Sequence, residues 1–309
     1  MKYTLCDINM LAKENPQKLI EISEKAYFDE INAIAKKISS NDDLKIVSIA
    51  GPSGSGKTTT AHILCDLLKE YGEETIVVSL DDFYLAGEDL PLLLDGTRDI
   101  ESVNALDIPL INKCFSEIIS CGKTMLPKFD FKTKTRILND RVADITNHGI
   151  VIVEGLHALN PLITDLVPRR NIYKIYISVN DAIYDKKGDK VIYSKQVRLA
   201  RRVLRDRTFR GTEVNDTLTL WDGVVKGEEK FLYCFKDTAD VLLKTFHLFE
   251  PCIYKDEFIS LENEVSKDNV CYRYFMNTAN ALKKFDSLCR DYVPQNSLIR
   301  EFIGDGKYN

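Results

Sequence analysis

Apolar positions follow two rhythms along this chain. Leu19, Ile22, Ala26, Ile31, Ile34 and Ile38 recur at helical spacing. Asn15-Pro16 supplies that helix with a cap and a first-turn proline, and the polar stretch 39–43 ends it. The rhythm then changes. Short β-branched runs appear at 45–50 (KIVSIA), 75–80 (TIVVSL), 149–153 (GIVIV) and 172–177 (IYKIYI). Helical patterns at 59–71 and 105–121 separate them, the second with Leu106, Leu110, Ile111, Phe115, Ile118 and Ile119 along one side. Continuous apolar strands alternating with helices predict a parallel sheet covered on both faces, the α/β class. Residues 240–243 are expected to close the sheet.

The polar stretch 181–193 breaks the pattern and reads as a mobile excursion. An Arg-rich helix (194–209) and a second helix (216–232) follow it, with further helices expected at 254–266 and 272–287. The expected organisation is an N-terminal helical segment (1–44), a core domain (45–250) with a lid at about 181–210, and a helical extension (251–309). The apolar stripes of both terminal regions fit packing on that core or on a partner subunit, so a homo-oligomer stays open.

Composition narrows the class. The chain has 309 residues, 42 Lys plus Arg and 47 Asp plus Glu, for a net charge of −5. With 44% hydrophobic and 29% charged residues, it is neither disordered nor fibrous. No apolar run approaches the ~20 residues of a membrane span. Residues 1–15 carry Asp7, Lys13 and Glu14 in place of an apolar signal core, which predicts a cytoplasmic protein. The acidic balance argues against nucleic acid as a partner. Eight cysteines show no CxxC or zinc-ligand spacing and read as reduced thiols.

Gly51-Pro52-Ser53-Gly54-Ser55-Gly56-Lys57-Thr58 fits the phosphate-loop pattern G-x-x-x-x-G-K-[ST], between an expected strand and an expected helix. The glycines let successive N–H groups turn toward phosphate oxygens, and the helix presents its positive end to the same anion. Lys57 is expected to reach the β- and γ-phosphates of ATP, and Thr58 to bind Mg²⁺, with Thr59 beside them. Two further strands end in acids. Asp81 follows the second and is a candidate base for an attacking hydroxyl; a turn-capping carboxylate is the plainer reading. Glu154 ends the third and is a candidate for holding Mg²⁺ or its water. Arg198, Arg201, Arg202, Arg205, Arg207 and Arg210 crowd one helix, with Arg198, Arg202 and Arg205 on one face. A triphosphate would compensate their repulsion, and the helix is expected to close as a lid. A solvated face with an Arg202–Asp206 pair, or an RNA-binding patch, are the competing readings.

GPSGSGKTT, SLDDFY, PKFDF, VIVEGLH and RLARRVLRDRTFRG, in this order, resemble the uridine kinase and phosphoribulokinase family over about residues 45–250. The likeness is nearest to bacterial uridine kinase-like nucleoside kinases without an N-terminal TGS-type region. The tail PQNSLIREFIG at 294–304 is similar to their helical extension. The resemblance implies a P-loop kinase using ATP and Mg²⁺ on a nucleoside, with uridine or cytidine foremost. Its alternatives are another small hydroxyl acceptor (a sugar phosphate or a pantothenate-like molecule), or a nucleotide-binding regulator with weak turnover. It implies Asp81 as base, with Lys57, Arg202 and Arg205 as its catalytic companions. It sets Tyr84, Glu101, Phe129, Lys134, Arg136, Arg205 and Arg210 around the acceptor, with Glu101 on the ribose hydroxyls. It implies Gly51, Ser53, Gly54, Ser55, Gly56, Lys57, Thr58 and Thr59 on the nucleotide, and Thr58 with Glu154 on the metal. Two base-reading positions, Tyr and His in the family, are Phe129 and Lys134 here, and the acid before R-L-x-R-R is Gln196. The resemblance therefore implies intact phosphoryl transfer and altered base recognition.

Overall fold

The structure, a computed structural model, describes residues 3–93, 96–130, 133, 135–145 and 149–308. The chain opens with helices α1 (Leu5–Glu14) and α2 (Pro16–Ser39), then strand β1 (Ile46–Ala50), α3 (Lys57–Glu70) and β2 (Thr75–Ser79). Next come α4 (Ile108–Cys121), β3 (Lys123–Asp130), β4 (Thr135–Asp144), β5 (Ile150–Glu154) and α5 (Pro161–Thr164). β6 (Ile172–Ser178), β7 (Ile183–Tyr184), β8 (Lys190–Ile192), α6 (Ser194–Arg210), α7 (Val214–Phe231) and β9 (Val241–Lys244) follow. The chain continues with α8 (Glu250–Ser260), α9 (Tyr272–Leu282) and α10 (Arg300–Ile303).

The central sheet has five parallel strands in the order β2-β5-β1-β6-β9. Every residue of β1 and β5 is buried, as their unbroken apolar runs require. Neighbouring residues of β1 serve opposite faces. Val47 and Ile49 join a core that includes Leu19 and Ile31 of α2 and Phe258, Phe275 and Phe302 near the C-terminus. Ile46 and Ala50 join a second core with Ile111 and Phe115 of α4. Both faces are covered, and the helices at each end of the chain share a core with the sheet.

Several elements differ from expectation. The stretch 181–193 forms the β7–β8 hairpin, because Ile183, Val191 and Ile192 are buried among its polar neighbours. The helix expected from 105 begins at Ile108, where Asp107 caps it through Leu110 N–H. The last helices end at Ser260 and Leu282, short of 266 and 287. The expected N-terminal helical segment is split into α1 and α2, and the antiparallel β3–β4 ribbon was not expected. Asn15 does cap α2, accepting from Lys18 N–H at 3.1 Å. Among the described residues, no helix is long and apolar enough to cross a membrane.

Parallel pairing decides where the chemistry gathers. Glu154 at the end of β5 is in register with Ile49 of β1 and Ser79 of β2. The loops that leave β1, β2 and β5 therefore emerge on one edge of the sheet, where ligands bind in open α/β folds.

Candidate active site

The turn from β1 into α3 is shaped by glycine. Gly54 and Gly56 adopt φ of 71° and 86°, in the left-handed region. A Cβ at Gly54 would stand 2.9 Å from the Arg198 carbonyl oxygen, and one at Gly56 2.8 Å from Leu298 Cδ1. α6 fastens the loop. Arg198 Nε donates to Ser53 O (2.9 Å), Arg201 Nη1 to Gly54 O (3.1 Å) and Arg202 Nη1 to Ser53 Oγ (2.8 Å). Thr245 Oγ1 donates to Ser55 O at 2.7 Å. The loop is thus preorganised at the positive end of α3, an arrangement suited to phosphate. Lys57 bends back over it, with Nζ 3.3 Å from Pro52 O. Its desolvated ammonium is held below the usual lysine pKa, although Glu154 and Asp81 oppose that shift.

Glu154 is buried at the floor of the cavity. Its Oε1 accepts from Ser79 Oγ (2.8 Å) and Thr58 Oγ1 (3.3 Å). Burial, then repulsion from Asp81, push its carboxyl up to about 7. Asp81 lines the same cavity but stays open to solvent within it. Crowding by protein raises its pKa too, while Lys57, Arg210 and Arg205 pull the other way. Asp82 points elsewhere, toward Arg141 at 3.4 Å.

This donor set fits Mg²⁺. No cluster of three or more His, Cys, Asp or Glu residues suited to a metal occurs among the described residues. One hydroxyl and one carboxylate side by side match a cation that keeps waters and leans on substrate phosphates.

The arginine helix divides its labour: Arg198 and Arg202 both reach Ser53 from one face, but of Arg198, Arg202 and Arg205 only the last two line the cavity. Arg198 Nη2 donates to both carboxylate oxygens of Glu228 of α7 (2.7 and 2.6 Å), and Arg201 pairs with Glu250 (2.6 Å). Both pairs are buried, so these two arginines brace the loop from behind. Arg207 pairs with Glu264 on the surface. Arg202, Arg205 and Arg210 line the cavity and all meet the buried Asp206, at 3.3, 2.8 and 3.4 Å. Burial, reinforced by neighbouring arginines, lowers the pKa of Arg210 and opposes the charge on Arg202 as well. Crowded cations of this kind favour an added anion.

Tyr84, Glu101, Leu156 and Val224 line another part of the cavity. Tyr84 OH donates to Ile100 O at 3.1 Å. His157 Nε2 lies 3.0 Å from Glu101 O and fixes that backbone. Burial drops the His157 pKa to about 4, so its ring is neutral at ordinary pH. Glu101's carboxyl is raised by burial, with Arg202 opposing. Phe129 does not line this cavity; its ring packs 5.8 Å from that of Tyr84. Arg136 also stands outside the lining and pairs with Asp107 at 2.6 Å. Lys134 lies outside the described residues. Sequence reasoning missed Glu228 and Glu301. The Arg202–Asp206 pair weighed as a competing reading is present, but it is buried beside the cavity rather than on a solvated face.

The phosphoribulokinase / uridine kinase family model matches residues 46–248. A uridine kinase of Lactobacillus helveticus is 26% identical over 200 residues, covering 64% of this chain and 85% of that protein. A uridine kinase of Saccharomyces cerevisiae is 29% identical over 202 residues, again 64% of this chain. Here the match spans 36% of the yeast protein's length. Among solved structures, D-glycerate 3-kinase of Cryptococcus neoformans is 16% identical, with 78% of each chain covered and a TM-score of 0.33.

Proposed function

Because the chain belongs to the phosphoribulokinase / uridine kinase family, we propose that it transfers the γ-phosphate of ATP to the 5′-hydroxyl of a nucleoside, uridine or cytidine first. The observation that carries this reading is the convergence of Lys57, Asp81, Glu154, Arg202 and Arg205 on one cavity that also contains Tyr84 and Glu101. The uridine kinases among its relatives support the nucleoside acceptor.

The roles follow from chemistry. The amides of 51–56 and the start of α3 bind phosphate oxygens, with Lys57 at the β- and γ-positions. Asp81 accepts the proton of the attacking hydroxyl, and its raised pKa strengthens it as a base. Arg202, Arg205 and Arg210 neutralise charge spread over the transferring group. Thr58 and Glu154 are the side chains that would hold Mg²⁺, which when bound neutralises phosphate oxygens. Glu101 offers two acceptor oxygens for a pair of vicinal hydroxyls. Tyr84 supplies an apolar ring face for the acceptor.

Coupled ADP release tests the proposal. Nucleosides, pantothenate and ribulose 5-phosphate are supplied separately with ATP and Mg²⁺. The expected result is release stimulated by uridine or cytidine. Stimulation by another acceptor alone replaces the nucleoside reading. Tight ATP binding with no stimulated release by any acceptor overturns the kinase reading and leaves a nucleotide-binding regulator.

A further inference from the structure

The segment around α10 is fastened to the phosphate loop. Leu298 lies against Gly56, and Phe302 packs beneath the Arg201 guanidinium, 4.8 Å from ring centroid to Cζ. Ser297 Oγ donates to Glu24 of α2 at 2.5 Å. Arg300 binds the carbonyls of Val293 (2.6 Å) and Arg290 (3.1 Å), which holds the segment's own turn.

This seat carries Glu301 into the phosphate cavity. Its side chain is 15% exposed. Oε2 accepts from Thr59 Oγ1 at 2.7 Å, in the first turn of α3. Oε1 stands 3.9 Å from Arg205 Nη1. The other edge of that guanidinium is held by Asp206, which accepts from Nε (3.0 Å) and Nη2 (2.8 Å). Two carboxylates therefore flank one arginine, and one of them also grips the helix that begins at the phosphate loop.

An acid in an anion site is unfavourable for binding phosphate. Its value there lies in orientation, since flexible side chains must be held in place before charge develops on the substrate. We propose that Glu301 is a positioning residue for phosphoryl transfer, aligning Thr59 and Arg205 on the nucleotide phosphates. The C-terminal segment is then a wall of the active site. This rests on the kinase reading above and adds to it a residue outside the stretch matched by the family model.

The test uses the full chain with Glu301→Gln, Glu301→Ala, Thr59→Val and the Thr59→Val/Glu301→Ala double variant. Glu301→Ala is expected to lower kcat by about 10–100-fold, with the KM for ATP within about threefold of the parent. Glu301→Gln keeps an acceptor for Thr59 and loses the charge facing Arg205, so its kcat falls between the two. Thr59→Val is expected to cost at least threefold less on the Glu301→Ala background than on the parent. Overturning results are a kcat for both Glu301 variants within about twofold of the parent, or additive effects. A lower KM for ATP with undiminished kcat would also overturn it, since Glu301 would then only compete with phosphate. If Glu301→Ala does not fold, the kcat and KM of Glu301→Gln decide. A parent that releases no ADP with any acceptor removes the kinase reading and with it the role in transfer; the alignment of Thr59 and Arg205 on a bound nucleotide is then decided by binding. The parent, Glu301→Ala, Thr59→Val and the double variant are then compared by calorimetry with AMP-PNP. Coupling between Thr59 and Glu301 in affinity upholds the alignment, and additivity within about twofold overturns it.

Discussion

Replacing Glu154 by Gln should stabilise the protein in the absence of nucleotide and metal while disabling turnover. Glu154 is 5% exposed, and its carboxyl is raised from 4.5 to about 7. Below pH 4.5, folded and unfolded chains both hold this proton, and the group is neutral in its effect. Between pH 4.5 and 7 the folded state keeps a proton that the unfolded state has lost, so stability falls as pH rises. Above pH 7 the loss is constant. A shift of 2.5 units, 7 minus 4.5, sets its ceiling at about 3.5 kcal/mol, using ~1.4 kcal/mol per unit. Gln preserves an acceptor for Ser79 and Thr58 and removes the buried charge that repels Asp81. Thermal melts in EDTA at pH 5 and pH 8 measure the effect. At pH 8 the variant should melt roughly 5 °C above the parent, and at pH 5 the gap should shrink to a small fraction of that. Equal melting at pH 8, or a gain independent of pH, would refute the assignment of the strain to this carboxylate.

Asp81→Asn should reduce kcat by ~10²–10⁴-fold, with affinity for AMP-PNP within about threefold of the parent by calorimetry. Glu250→Ala strands the buried guanidinium of Arg201 and should cost about 3–5 kcal/mol, read from the urea midpoint. Gly56→Ala forces a side chain into φ of 86° and against Leu298, and should cost about 1–3 kcal/mol and abolish nucleotide binding. Adding Leu298→Ala should recover only part of that stability, because the backbone strain persists.

What was legible in the sequence was contiguous. Gly51 to Thr58 sits between a strand and a helix along the chain itself, so its role needs no knowledge of distant partners. Asp81 and Glu154 could be singled out because strand ends are local, and parallel pairing brings both to one cavity. The arginine helix shows where such reading stops. Periodicity grouped Arg198 with Arg202 and Arg205, yet Glu228, thirty residues on, draws Arg198 into a buried pair. Glu250 takes Arg201 in the same way. Those partners are fixed by how α7 and α8 pack, which no spacing rule within α6 encodes. The β3–β4 ribbon was missed because nearly all of β4 is exposed, leaving no alternation to detect. α1 did leave a trace: Thr4 and Asp7 form a capping box, a pattern readable three residues apart.

The contact between Thr59 and Glu301 also has a consequence in time. Their separation is 242 residues. At ~5–20 residues per second, a ribosome needs roughly 10–50 s to pass from one to the other. Throughout that interval the nascent chain contains the phosphate loop without Glu301 against Thr59, and Gly56 lacks the cover of Leu298. Translation order thus imposes a delay between making the phosphate-loop sequence and completing its cavity. Ribosome-bound intermediates stalled before residue 297 should therefore retain less ATP than the released protein.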